Sequence, residues 1–297
     1  MQTATEPLPR HPLLARIDKS RCRAILALAL GLGLSACLFP TAPHAADWSS
    51  VKSPAGGPTQ SIGQTNNGCI AGAANLPLEG EGYQVMHIER NRYYGHPLLV
   101  RAIEALGRKT QEQGFGVLQV GDLGQPRGGP MAFGHRSHQT GLDVDIWFNL
   151  DPGLLATANP LRSNLNAPSM LNNAKNGLDR SAWTPDQLSL LELAAKLPGV
   201  DRIFVNPYIK QELCERATGK RAWLRKIRPW YSHDDHFHLR LACPADSPAC
   251  ETQEPIPEGE GCDASLDWWF QPHPPSTAPP PPKQPMPTEC QAILSAP

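Results

Sequence analysis

The sequence predicts an α+β domain: a small central antiparallel sheet flanked by helices and long loops. Three observations carry this. Helix-start signatures recur, each with proline at the first helical position. Short apolar or alternating runs of strand length lie between them. The connections 121–140 and 149–182 are too long and too polar to be simple turns, and ordered loops of that length are often functional.

The elements follow in chain order. His96-Pro97 opens a helix over Leu98 to Gln113, with Leu98, Leu99, Ala102, Ile103 and Leu106 on one face and Gly114 as its stop. Val117 to Val120 and Leu142 to Phe148 read as strands. Thr184-Pro185-Asp186-Gln187 is a capping box leading Leu188 to Leu197. Val200 to Val205 is a strand, and Asn206-Pro207 opens a helix running toward Arg216. His236 to Leu241 alternates strictly, as a half-buried strand does.

The chain has 297 residues, a net charge of −1 and 40% apolar residues. A near-neutral balance excludes the basic footprint of a nucleic-acid partner. Arg10, Arg16, Lys19, Arg21 and Arg23 precede the apolar run Ala24 to Leu34, the pattern of an export signal over residues 1–46. Leu34-Ser35-Ala36-Cys37 resembles a lipobox, so a lipid anchor at Cys37 and ordinary cleavage near Ala45 or Ala46 both stay open. Residues 47–68 read as a flexible linker and 69–270 as the domain. Residues 271–297, with ten prolines, read as an extended tail tied back through Cys290.

Once Cys22 and Cys37 are set aside, six cysteines remain: Cys69, Cys214, Cys243, Cys250, Cys262 and Cys290. An even number in an exported chain reads as three disulfides. Cys243 and Cys250 suit a short local loop, and spacing alone does not pair the others.

Ten histidines look ordinary as a total, but five fall in two short clusters, Gly134-His135-Arg136-Ser137-His138 and His233 to His238. Alternation puts His236, His238 and Arg240 on one strand face, with Phe237, Leu239 and Leu241 on the other. The imidazoles stand about 7 Å apart along the strand. Asp143 and Asp145 likewise share a face. The turn Gln139-Thr140-Gly141 lets His138 fold back beside Asp145. His138, Asp145 and His238 then offer two imidazoles and one carboxylate, leaving a fourth position for water, as in a catalytic zinc site. No H-E-x-x-H or G-x-S-x-G occurs in the chain.

The run from Gly134 to Trp147, with Arg228-Pro229-Trp230 through His238-Leu239-Arg240, closely resembles the penicillin-insensitive murein endopeptidases. These are zinc peptidases of the lysostaphin, D-Ala-D-Ala carboxypeptidase and hedgehog superfamily. The resemblance extends through Arg202 to Pro207 and Cys243 to Ser247. It implies a periplasmic hydrolase, soluble or lipid-anchored, acting on the D-alanyl to meso-diaminopimelyl cross-link of peptidoglycan. It implies zinc on His138, Asp145 and His238. His236 would act as general base or oxyanion donor, with His233 supporting it. His135 matches a position associated with a second zinc, for which Ser163 to Trp183 supplies no matching Asp and His. The implied disulfides are Cys69–Cys290, Cys214–Cys262 and Cys243–Cys250. A zinc carboxypeptidase of the same superfamily and a non-catalytic zinc- or peptidoglycan-binding protein are the alternatives. A homodimer is left open. Trp268-Trp269-Phe270 is expected to pack the tail onto the core.

Overall fold

A computed structural model describes residues 45–150, 155, 159–274, 279, 282 and 284–297, within the unit Ala42–Pro297. The expected leader, with its lipobox at Cys37, lies outside the described residues but for Ala45 and Ala46. Among the described residues no helix is long and apolar enough to cross a membrane.

Helix α1 (Ala45–Ser50) precedes a hairpin of β1 (Gln60–Gln64) and β2 (Asn67–Ala71). Short strands β3 (Ala74–Asn75), β4 (Glu79–Gly80), β5 (Tyr83–Val85) and β6 (Tyr94–Gly95) follow. Then come α2 (Pro97–Glu112), β7 (Leu118–Val120), β8 (Asp143–Trp147), α3 (Leu161–Asn164), α4 (Pro185–Ala195), β9 (Val200–Val205), α5 (Pro207–Arg216), β10 (Ile227–Pro229), β11 (His236–Leu241), α6 (Ala264–Asp267) and α7 (Thr288–Leu294).

The helix starts form as their residues dictate. A nitrogen of the His96 ring accepts from the Leu98 amide, Thr184 and Gln187 close a capping box, and Asn206 accepts from the Tyr208 amide. On α2 the buried row is Leu99, Ile103 and Leu106, joined by Val100. Leu98, expected inside, is 40% exposed. It sits one residue off that row, and a step of one residue rotates a side chain off the stripe.

The main sheet has seven strands in the order β10-β9-β11-β8-β7-β5-β4. Its centre, β9-β11-β8-β7, is antiparallel as expected. The pairs β10/β9 and β5/β7 are parallel, so the whole is mixed and wider than the sequence suggested. Strand β11 is hydrogen-bonded on both sides, and its register sets His238 opposite Asp145 and Arg240 opposite Asp143. One face of this centre (Val144, Ile146, Ile203, Val205, Phe237, Leu239) joins the main core. The other face carries the polar cluster.

Two terminal expectations need correction. Residues 47–68 are not a free linker: Trp48 is 1% exposed, and Trp48, Ile62, Cys69 and Cys290 form a second small core. Nor is the tail extended to its end, since Thr288–Leu294 is helical and packs on β2 with Met286, Ile293 and Leu294 against that core. Both segments are locally polar, so neither shows a pattern alone. Their few apolar residues are buried only by meeting each other across the chain. The Cys69–Cys290 disulfide joins them, and Arg127 donates to the carbonyls of Ile293, Leu294 and Ala296 at the end of α7. Cys214–Cys262 and Cys243–Cys250 complete the pairing that the resemblance implied.

Candidate metal centre

The polar face is built first by the β8/β11 register. Asp145 and His238 are directly opposed, and His238 Nδ1 lies 3.4 Å from Asp145 Oδ1. Two positions along, Asp143 is fully buried between His238 Nε2, at 2.6 Å, and the Arg240 guanidinium. The His238 ring therefore donates from Nε2 to Asp143 and turns its Nδ1 lone pair toward Asp145. Burial pushes His238 down to about 4 despite Asp143, so its ring is neutral at neutral pH. Burial alone would raise Asp143. The Arg240 guanidinium, then His238 and His138, hold it well below the carboxylate range instead.

The second half arrives on the loop before β8. His138 has φ 70 and Gly141 φ 69, both left-handed, and this double reversal folds His138 back against the sheet. A Cβ at Gly141 would press on the Gly95 and His96 backbone at 3.1 and 3.2 Å in a left-handed conformation, so the position favours glycine. Gln139 anchors the turn by accepting from the Gly68 amide and donating to the carbonyls of Asn66 and Arg136. His138 donates from Nδ1 to the Leu123 carbonyl at 3.1 Å and aims Nε2 at Asp145 Oδ1, 3.4 Å away.

His138 Nε2 and Asp145 Oδ1 are both buried and have no hydrogen-bond partner. Orphaned buried polar atoms are rare. Two ligands each about 2.1 Å from a tetrahedral ion stand about 3.4 Å apart. The observed spacing is the spacing a cation imposes, so the donor set fits a metal.

His135 approaches from the same loop. Its Nδ1 lies 3.2 Å from Asp145 Oδ2, and its Nε2 donates to Asp122 at 2.9 Å. One ligand atom each from His135, His138 and Asp145 lies within 4.8 Å of the others, a group able to hold a metal ion. His238 does not belong to that group. It nevertheless faces the same Asp145 oxygen as His138, with its other nitrogen fixed, whereas both nitrogens of His135 already face carboxylates. No second group of three appears among the described residues. Ser163 to Trp183 instead sends Lys175 to Asp234, at 2.8 Å.

His236 forms the other wall. Its Nε2 is 3.6 Å from Asp145 Oδ2 and its Nδ1 donates to Asp235. Burial pulls its imidazole down, but Asp145, Asp235 and Asp234 outweigh that and lift it to about 9. His233 packs its ring 5.1 Å from that of His236 and donates from Nδ1 to the Tyr231 carbonyl. Burial, then His236, push His233 down. A cleft of about 170 Å³ opens onto the centre, lined among others by Arg90, Asp122, His135, Asp145, Trp147 and His236.

A family profile for the penicillin-insensitive murein endopeptidases matches residues 61–295. The chain is 45% identical over 256 residues to the penicillin-insensitive murein endopeptidase of Haemophilus influenzae, covering 84% of this chain and 89% of that one. It is 45% identical over 278 residues to that of Klebsiella pneumoniae strain 342, covering 93% and 98%. It is 46% identical over 273 residues to that of Escherichia coli O1:K1, covering 91% and 97%.

The chain belongs to the penicillin-insensitive murein endopeptidase family. It is therefore a member of a peptidase family, and both histidine clusters that carried the resemblance lie inside the matched span. The structure gathers all six singled-out side chains, His135, His138, Asp145, His233, His236 and His238, around one cleft-side centre. Several functional neighbours escaped the sequence reading. Asp143 was legible by alternation with Asp145 and Arg240, but its role as the partner of His238 was not assigned. Asp122, Arg92 and Asp235 lie in irregular segments where no period marks them. Of Trp268-Trp269-Phe270, expected to pack onto the core, Trp269 lies 4.9 Å from the ring of Tyr231, itself 50% exposed, and Phe270 lies 5.0 Å from that of Tyr208, so the group packs at the surface. Trp268 stays 50% exposed.

Proposed function

We propose that this protein is an exported, zinc-dependent murein endopeptidase that hydrolyses the D-alanyl to meso-diaminopimelyl cross-link of peptidoglycan in the periplasm. The observation that carries the reading is the convergence of His138 Nε2 and His238 Nδ1 on one oxygen of Asp145, each at 3.4 Å. Family membership supports the substrate: the relatives are named murein endopeptidases.

In this reading His138, Asp145 and His238 hold the ion, and Asp143 and the Leu123 carbonyl fix the two rings. When bound, Zn²⁺ polarises the scissile carbonyl and makes water acidic enough to act near neutral pH. The remaining steps belong to the chain. His236 Nε2 stands 3.6 Å from Asp145 Oδ2 at the cleft, placed to donate a proton where negative charge develops on the carbonyl oxygen. The same proton can pass to the leaving amine. Asp235 orients the ring from Nδ1, and His233 walls it from solvent. Among the described residues no serine or cysteine lines the cleft, and this reading calls for no acyl-enzyme that a β-lactam could trap.

Purified sacculi digested with the protein should release uncross-linked muropeptides. Chelation should stop this and added Zn²⁺ should restore it. Full activity in metal-free protein overturns the metal assignment. Cleavage of pentapeptides but not of cross-linked dimers overturns the endopeptidase assignment in favour of a carboxypeptidase.

A further inference from the structure

We propose that Arg90 is the carboxylate-binding residue of the cleft, taking the free carboxylate of the diaminopimelyl residue beside the scissile bond. The inference rests on the endopeptidase reading above and names which substrate group sets its specificity.

Arg90 ends the one-turn 3-10 helix Ile88–Arg90, and the residues bracketing that turn, His87 and Asn91, have φ 53 and 54. Two non-glycine residues in the left-handed region within five positions are a strained arrangement that persists only where the surroundings impose it. They do so here. The His87 ring donates to the Ser163 carbonyl at 2.8 Å and lies 5.7 Å from the Trp147 ring, while the Asn91 amide donates to the Ile88 carbonyl at 3.1 Å. The turn is held from outside at its His87 end and closed by its own Asn91 bond, and what it presents to the cleft is one guanidinium.

That guanidinium is in surplus. Asp122 Oδ2 already receives Arg92 at 2.9 Å and His135 at 2.9 Å. Arg92 is buried, its Nη1 on Asp122 and its Nη2 donating to the Phe133 carbonyl, so it matches the single charge of Asp122. Arg90 reaches the same oxygen only at 3.3 Å, and its side chain stays 29% exposed. Among the described residues Asp122 is its one side-chain acceptor, reached through Nη1 alone, which leaves its other donors without a side-chain acceptor beside the cleft it lines. No other lysine or arginine among the described residues lines that cleft. A cation already paired with a buried acid and still offering a planar fork is suited to a second, bidentate carboxylate.

The position fits the substrate's chemistry. In the cross-link the scissile amide nitrogen sits on the same carbon as a free carboxylate. That carboxylate must therefore lie within a few bonds of the metal centre. Arg90 is one imidazole away from it: His135 bridges Asp122, which Arg90 touches, and Asp145.

The test uses the zinc-loaded full chain and two synthetic cross-linked peptides. In one the diaminopimelyl carboxylate next to the scissile nitrogen is free, and in the other it is the primary amide. The native protein should prefer the acid by about tenfold or more in kcat/KM, the size of a charge-assisted bond. Arg90→Gln should lose that preference, chiefly through KM on the acid, and leave the amide nearly unchanged. Arg90→Lys should retain part of it. Thermal melts establish that both variants fold. Equal cleavage of acid and amide by the native protein, or an equal loss on both in Arg90→Gln, overturns the role of Arg90 and leaves the endopeptidase reading standing. Cleavage of neither peptide by the native protein overturns that reading, and this inference with it.

Discussion

The centre has two halves held in different ways. The strand-borne half comprises Asp143, Asp145, His236, His238 and Arg240. Its side chains are placed by ladder register, and a slip of one residue would turn every one of them to the other face. The loop-borne half comprises Asp122, His135 and His138. No ladder holds it. It depends on left-handed backbone at His138 and Gly141, on Gln139, and on a carboxylate shared by two arginines and a histidine. The first half is rigid because its backbone is paired on both sides; the second has only scattered backbone bonds, such as Gln139 N–H to the Thr65 carbonyl and Asp145 N–H to the Asp122 carbonyl, and leans more on its side-chain contacts. Regions secured by few backbone pairs open at lower free energy than paired core strands.

The largest effect should come from taking the ligand atom out of the loop half. His138→Ala removes one of the two nitrogens that face Asp145 Oδ1, so metal content and murein hydrolysis should be lost together. The β8/β11 sheet should persist in far-UV circular dichroism. Loss of the sheet as well would show that the two halves are not separable.

A smaller effect should follow in the strand half. Asp143→Asn keeps the shape but removes the charge that fixes the His238 ring, and outer-shell partners of this kind are worth about 10–100-fold in metal affinity. Competition with a fluorescent zinc chelator measures this. Unchanged affinity would mean that the register alone orients His238.

The smallest effect is in stability against pH. Burial would raise Asp122, but His135, Arg92 and Arg90 lower it from 3.8 to about 2. Its folded-state value is thus depressed. The stability it contributes is present in full above about 4 and is lost as pH falls through about 2, a total of about 2 kcal/mol. Denaturant melts of the wild type and Asp122→Asn should converge between pH 4 and 2. Parallel curves across that window would show that the loop half is not held by this carboxylate.

The strand half was the legible one. Strict alternation from His236 to Leu241, and again around Asp143 and Asp145, assigns faces without any knowledge of the fold, because side chains on a strand alternate with a period of two. The helix starts at Pro97, Pro185 and Pro207 were legible for a similar reason: capping and proline geometry are local. The loop half was legible only as a cluster of histidines with a glycine nearby. Arg90 gave no local signal at all.

The sequence by itself determined the α+β class, the identities of the histidine and aspartate donors, and which of them share a strand face. Each of these follows from spacings of a few residues. Only the tertiary structure decided that Asp145 meets His238 across 93 positions, and that Asp143 and the Leu123 carbonyl fix the tautomers of the two ligand rings. It also decided that the two polar ends of the domain close over each other through Cys69 and Cys290. Those facts depend on strand order and burial, which bring together residues that share no local pattern.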